Sequence, residues 1–115
     1  MAIRIEKPWG HEEIWAQTEQ YVSKILHIRK GERLSLQHHI HKEENIRILK
    51  GNLMLTIGPT LETLQRKILH VGDTEHIPAG MIHRMEAIED CEIIEVSTTE
   101  LEDIVRHEDD YGRIK

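Results

Sequence analysis

Glycine and proline residues divide this chain into short pieces, and their spacing constrains its fold more than any other feature. The breaks fall at 8–10, 31, 51, 58–59, 72 and 78–80. Several of the pieces between them are rich in Ile, Val or Thr, which favour strands, and they recur at the spacing typical of sandwiches and barrels. The pattern predicts strands over residues 21–29, 34–41, 46–49, 53–57, 64–71, 82–87 and 92–96. The sequence therefore indicates an all-β fold.

The end of the chain has a different pattern. Residues 99–106 follow a run of Ser and Thr that can cap a helix, and acidic residues lie in or near the first turn. We expect a short C-terminal helix or tail there, and an exposed hairpin connection over residues 58–64. A chain of 115 residues is the size of one domain, so we expect a single domain over 1–115.

Composition and charge exclude several classes of function. The net charge is -6 and the chain has no basic cluster, so nucleic-acid binding is not expected. No apolar run approaches the ~18 residues of a membrane span, and the first residues do not resemble a secretory signal. Cys91 is the single cysteine, which excludes an internal disulfide and favours a reducing, cytoplasmic location.

Histidine is unusually frequent, with nine residues among 115. Imidazole is the commonest side-chain metal ligand and titrates near neutral pH. In the strand predicted around residues 33–41, side chains alternate between two faces. One face carries Arg33, Ser35, Gln37, His39 and His41, and the other carries Leu34, Leu36, His38 and Ile40. The polar face either meets water or lines a small cup inside a barrel. We favour the cup, because this face has no Lys or Glu and ends in two histidines.

The spacing of four residues predicts a metal site. His39 and His41 lie two apart on a strand, with Cα atoms roughly 6.5–7 Å apart, so that both rings can reach one ion. Glu44 can join them if the chain bends at residues 42–43. A Pro-x-Gly turn at 78–80 would deliver His83 as the fourth ligand. We expect one divalent metal ion, and Zn, Mn, Fe, Co and Ni all remain open.

Several segments carry a resemblance to a known family. They are Lys7–Gly10, Gly31–Gln37, Ile77–Gly80 with His83–Arg84, Ile93–Val96, Asp103–Arg106 and Glu108–Arg113. Together with the metal pattern they resemble the cupin superfamily, and within it the type II phosphomannose isomerase domain, over residues 7–113. The chain departs from that family at Ile40, Lys42 and Asn45–Ile46, where the family usually has His, Arg and His-Trp.

The resemblance implies a cupin double-stranded β-helix, a jelly-roll-like barrel that holds a metal ion on three His and one Glu. It also implies aldose–ketose isomerisation of a sugar phosphate, of the mannose 6-phosphate/fructose 6-phosphate type. Such a reaction needs a protein base. The candidates for the base are His76, Glu86 and Glu95. Arg33 is placed to anchor the phosphate, and further candidates for substrate binding are Gln37, Lys42 and Arg84.

Two other functions remain open. One is a non-catalytic, metal-containing cupin that binds a sugar or a small anion, and the other is a metal-dependent oxygenase. For assembly we expect a homodimer, because the apolar face of Leu34, Leu36 and Ile40 would otherwise be exposed. The N-terminal segment is a candidate for crossing to the partner.

Overall fold

The computed structural model describes residues 2–114, which form eleven strands and one short 3-10 helix at Leu61–Thr63. The strands are β1 (Ile3–Lys7), β2 (Gly10–Gln17), β3 (Val22–Ile28), β4 (Leu36–His38), β5 (Glu44–Lys50), β6 (Leu53–Gly58), β7 (Gln65–Leu69), β8 (Thr74–Ile77), β9 (Ile82–Ala87), β10 (Cys91–Ser97) and β11 (Val105–Glu108). Within these residues, no helix has the length and apolar character needed to cross a membrane.

The strands form two antiparallel sheets. One sheet has the order β1-β2-β3-β10-β5-β8, and the other has the order β11-β4-β9-β6-β7. The core is aliphatic, since the chain has no Phe. Its largest members are Trp9, Leu26, Ile28, Ile46, Ile48, Leu53, Leu55, Leu69, Ile77, Met85 and Ile93. The all-β prediction is confirmed, and the two sheets agree with a jelly-roll arrangement.

Alternation along β5 places a charged group inside the molecule. Ile46 and Ile48 point into the core, whereas Asn45 and Arg47 are exposed. Glu44 is in phase with the two isoleucines and is only 2 % exposed. The strand that builds the core therefore also presents a carboxylate to the interior.

The helix expected at residues 99–106 is absent from the described chain, and that prediction is wrong. Residues 105–108 instead form β11, which pairs antiparallel with β4. The Asp103 carboxylate, expected in the first turn of a helix, accepts backbone N–H groups of residues 40–42 instead. Local helix propensity is thus overridden by pairing with a distant strand.

Candidate metal centre and its cavity

Three of the four predicted ligands converge in the interior. His39, Glu44 and His83 each offer a ligand atom, and these atoms lie within 4.8 Å of one another. Glu44 Oε1 lies 3.2 Å from His83 Nε2 and 3.7 Å from His39 Nε2. His39 directly follows β4, Glu44 begins β5, and His83 lies in β9. Residues from both sheets therefore meet at one point.

Hydrogen bonds fix which ring nitrogen of each histidine faces this point. His39 Nδ1 lies 2.6 Å from the carbonyl oxygen of Asp103, and His83 Nδ1 lies 2.9 Å from that of Met81. A carbonyl oxygen only accepts, so each Nδ1 carries the proton and each neutral ring keeps a lone pair on Nε2.

Both Nε2 atoms and Glu44 Oε2 are buried and have no hydrogen-bond partner among the described residues. Burying such atoms without a partner is costly. Two imidazole lone pairs and a carboxylate oxygen are the donor set that a divalent cation requires. The residues present therefore fit a metal ion.

Asp103 shapes the loop that holds the first ligand. Its carboxylate accepts backbone N–H groups from Ile40 at 3.0 Å, His41 at 2.6 Å and Lys42 at 2.9 Å. These hydrogen bonds, that of His41 most strongly, lower the pKa of Asp103 to about 2. Gly80 ties the Pro-x-Gly turn at 78–80 to the first ligand, because its N–H donates to the His39 carbonyl oxygen at 2.7 Å. The segments that carry His39 and His83 are thus joined through the backbone.

His41 is not brought to this point, and its side chain is exposed. The two-residue alternation fails because β4 ends at His38 and the N–H groups of residues 40–42 turn toward Asp103. The turn instead directs Lys42 inward, where it is only 5 % exposed. Three residues rather than four therefore form the candidate centre.

Lys42 lies between two buried carboxylates. Its Nζ is 3.3 Å from Glu95 Oε2 and 3.2 Å from Glu44 Oε2, although the second contact lacks hydrogen-bond geometry. Burial opposes charging of Lys42, but the two carboxylates outweigh it and raise its pKa. Across the sheet, Lys24 lies directly opposite Glu95, with its Nζ 3.7 Å from Glu95 Oε2.

The two carboxylates respond differently to this environment. Burial opposes ionisation of Glu44, yet the pKa of its carboxyl is held well below the usual value, with the positive charge of Lys42 3.2 Å away as one cause. For Glu95, burial and the neighbouring Glu44 charge raise the pKa. The site thus contains one firmly ionised carboxylate and one that takes up a proton more readily.

A cavity of about 340 Å³ adjoins the candidate centre, and it is in the size range of small-molecule sites. His39, Gln37, Lys42 and Glu95 line it. Its charged lining comprises five cationic residues and three acidic ones. They are Lys7, Lys24, Lys42, Arg106 and Arg113, with Glu12, Glu95 and Glu102. An excess of positive charge in an acidic protein favours an anionic ligand.

The other predicted site residues lie elsewhere. Arg33 forms a bidentate pair with Asp110 at 2.7 and 3.0 Å. Arg84 is buried, but it donates to the Leu34 carbonyl oxygen at 2.9 Å. Four of the predicted residues do not line the cavity, namely Arg33, Arg84, His76 and Glu86.

Two of these residues were candidate bases, and their surroundings differ from that role. His76 is exposed and lies 2.6 Å from the carboxylate of Glu43. Glu86 is half-buried and faces Arg33 at 3.8 Å. Of the three candidate bases, only Glu95 lies in the cavity wall.

Several residues of the site were not predicted from the sequence. Asp103, Arg106 and Arg113 belong to segments that carried the family resemblance, and that resemblance was the available signal. Glu12 and Lys24 had no signal of their own, because only strand pairing places Lys24 Nζ 3.2 Å from Glu12 Oε2.

Comparison with known proteins agrees with this geometry. Residues 1–110 match the family described as Mannose-6-phosphate isomerase C-terminal. The chain belongs to this family. Relatives of the chain include the mannose-1-phosphate guanylyltransferase ManC of Salmonella typhimurium, which is 30 % identical over 99 % of this chain and 24 % of the relative. The xanthan biosynthesis protein XanB of Xanthomonas campestris is 31 % identical over 96 % of this chain and 24 % of the relative.

The two relatives named above are much longer proteins, and the chain spans about a quarter of their length. Solved structures show the fold. KdgF from Halomonas sp. superposes with a TM-score of 0.74 at 16 % identity, covering 84 % of each chain. Oxalate decarboxylase from Bacillus subtilis superposes with a TM-score of 0.77 at 19 % identity, over 90 % of this chain and 29 % of that one. The predicted cupin fold and the resemblance to the phosphomannose isomerase domain are confirmed.

Proposed function

We propose that this chain is a metal-dependent sugar-phosphate isomerase that interconverts an aldose and a ketose of the mannose 6-phosphate/fructose 6-phosphate type. The carrying observation is the convergence of His39, Glu44 and His83, whose two buried Nε2 atoms have no hydrogen-bond partner among residues 2–114, next to a cavity lined by excess positive charge. The family description, which names mannose-6-phosphate isomerase, supports the substrate class.

His39, Glu44 and His83 would hold the metal ion. When bound, the ion would supply Lewis-acid polarisation of the substrate's carbonyl group, which would make the C2 proton more acidic. The remaining steps fall to the protein. The carbonyl oxygens of Asp103 and Met81 accept the Nδ1–H groups of His39 and His83 and keep the two rings oriented.

Glu95 is the base in this proposal. It lies in the cavity wall, where Lys42 and Lys24 fix the position of Oε2 at 3.3 and 3.7 Å. A Glu95 carboxylate oxygen takes the proton from C2 and returns it to C1, while the hydroxyl proton moves between O2 and O1. Atoms balance without any further reactant, and the carboxylate is regenerated at the end of each turnover.

Exchange of the C2 proton tests the proposal. Mannose 6-phosphate is incubated in deuterium oxide with the protein, first stripped by a chelator and then reloaded with Mn²⁺ or Zn²⁺. We expect deuterium at C2 only with the reloaded protein, and none with His83→Ala. His70→Ala, which changes an exposed histidine, is the matched control and should exchange normally.

Two further measurements on the same metal-loaded protein, of sugar-phosphate binding and of oxygen uptake, give the outcomes that contradict isomerase function. Binding of the sugar phosphate without exchange by the loaded protein would support the binding-only cupin, and oxygen uptake with Fe²⁺ would support an oxygenase. Glu95→Gln should reduce the exchange rate by about 10²–10⁴-fold with the metal content unchanged. Glu92→Gln makes the same change on the opposite face of β10 and should leave the rate unaltered.

A further inference from the structure

One cross-strand row connects the candidate metal centre to a second charged group. Arg106 of β11 is paired with Gln37 of β4, and Gln37 is paired with His83 of β9. Paired residues project from the same face of a sheet, and neighbouring strands lie about 4.8 Å apart. The backbones of Arg106 and His83 are therefore roughly 10 Å apart, on the same side of the sheet.

The guanidinium of Arg106 lacks the partners that its neighbours have. Its Nε is buried and has no hydrogen-bond partner among residues 2–114. Arg113, the other arginine in the cavity wall, is held in a bidentate pair by Asp109 at 2.8 and 3.0 Å. Burial and the charge of Arg113 lower the pKa of Arg106. An added anion would relieve both the unmet hydrogen bond and the repulsion.

Arg33, which the sequence favoured as the phosphate anchor, is not placed to bind a phosphate in this cavity. Its Nε and Nη2 atoms both donate to the Asp110 carboxylate, and Arg33 does not line the cavity. Arg106 does line it, together with the inward-facing Gln37 and His39.

From this arrangement we infer that Arg106 binds the phosphate of a phosphorylated sugar whose carbonyl end lies at His39, Glu44 and His83. This assignment rests on the proposed function. A guanidinium suits a phosphate monoester because its planar fork donates two parallel hydrogen bonds to two oxygens. The two ends of the row then recognise the two ends of an open-chain sugar phosphate, and the phosphate distinguishes the substrate from a free sugar.

Calorimetric titration tests the assignment without any need for turnover. Mannose 6-phosphate, mannose and inorganic phosphate are titrated into the metal-loaded wild-type protein and three variants. Arg106→Gln should bind mannose 6-phosphate and inorganic phosphate about 10–100-fold more weakly, since it loses a charge-assisted hydrogen bond. Arg106→Lys keeps the charge but not the planar fork, so its affinity for both phosphates should lie between those of the wild-type protein and Arg106→Gln. Unphosphorylated mannose should bind all four proteins equally.

Arg66→Gln is the matched control, because Arg66 is exposed on β7, at the opposite edge of the same sheet from Arg106. Wild-type affinity for both phosphates in a folded Arg106→Gln protein would overturn the assignment, whatever the exchange experiment shows. Should Arg106→Gln fail to fold, verified by circular dichroism, the affinity of Arg106→Lys decides the question. Arginine-dependent phosphate binding without proton exchange would retain this assignment and reject the isomerase. Proton exchange by the wild-type protein, together with unaltered phosphate affinity in Arg106→Gln, would retain the isomerase and reject this assignment.

Discussion

At the scale of single residues, Asp103 does most to organise the candidate centre without being one of its ligands. Its carboxylate accepts three consecutive N–H groups, and its carbonyl oxygen accepts the Nδ1–H of His39. Side chain and backbone of one residue thus set both the path of the loop and the tautomer of a ligand. Such outer partners often matter nearly as much as the ligands themselves.

Replacing Asp103 should therefore weaken metal binding without touching a ligand. In Asp103→Asn an NH₂ donor replaces one of the two carboxylate oxygens. It repels the backbone N–H groups that the oxygen accepted in the wild-type protein. We expect about 10–100-fold weaker binding of Zn²⁺ or Mn²⁺ in competition with a chelating dye. Asp73→Asn, which alters a carboxylate bound to a turn N–H at His70, serves as control. Equal affinities in both variants would show that Asp103 does not position the ligand.

At the scale of strands and turns, the sequence predicted those elements whose signal is local. Strand β10, which is rich in Ile and Val, lies where the pattern placed it, and so do β6 and β9. Strands β1, β2, β8 and β11 were missed, because polar alternation is convincing only once the partner strand is known. His41 was assigned to the metal site by extending strand alternation beyond His38, where the strand ends.

The turn between β5 and β6 shows why a glycine was correctly taken as a break. Gly51 has φ +80°, and a β-carbon there would collide with the Asp90 carbonyl oxygen. Gly72 has φ +92° but open space around it, so that it isolates the backbone contribution. Gly72→Ala should cost about 1–2 kcal/mol, and Gly51→Ala should cost more, because Asp90 must also move. Urea unfolding measures both, and equal losses would contradict the collision.

At the scale of the whole molecule, the homodimer remains a prediction, but the surface expected to form its interface is a different one. Leu36 is only 4 % exposed, so the apolar face expected to form the interface is largely internal, although Ile40 is exposed. Exposed apolar side chains occur instead on β1, an edge strand, at Ile3 and Ile5. An unpaired apolar edge is a ready template for pairing with another chain.

Light scattering at micromolar concentration measures this directly. The wild-type protein should show twice the 13.5 kDa mass of one chain. Ile3→Lys should shift it toward the monomer, whereas Val71→Lys, at an exposed turn position, should not. A wild-type mass of one chain would contradict the dimer.

The placement of the three ligands has a consequence for the stability of the jelly roll as a whole. Glu44 belongs to the six-stranded sheet and His83 to the five-stranded one, so a cation between them would cross-link the two halves of the jelly roll. Binding of the ion and closure of the two sheets would then be one thermodynamic event, in which the ion would resist separation of the layers.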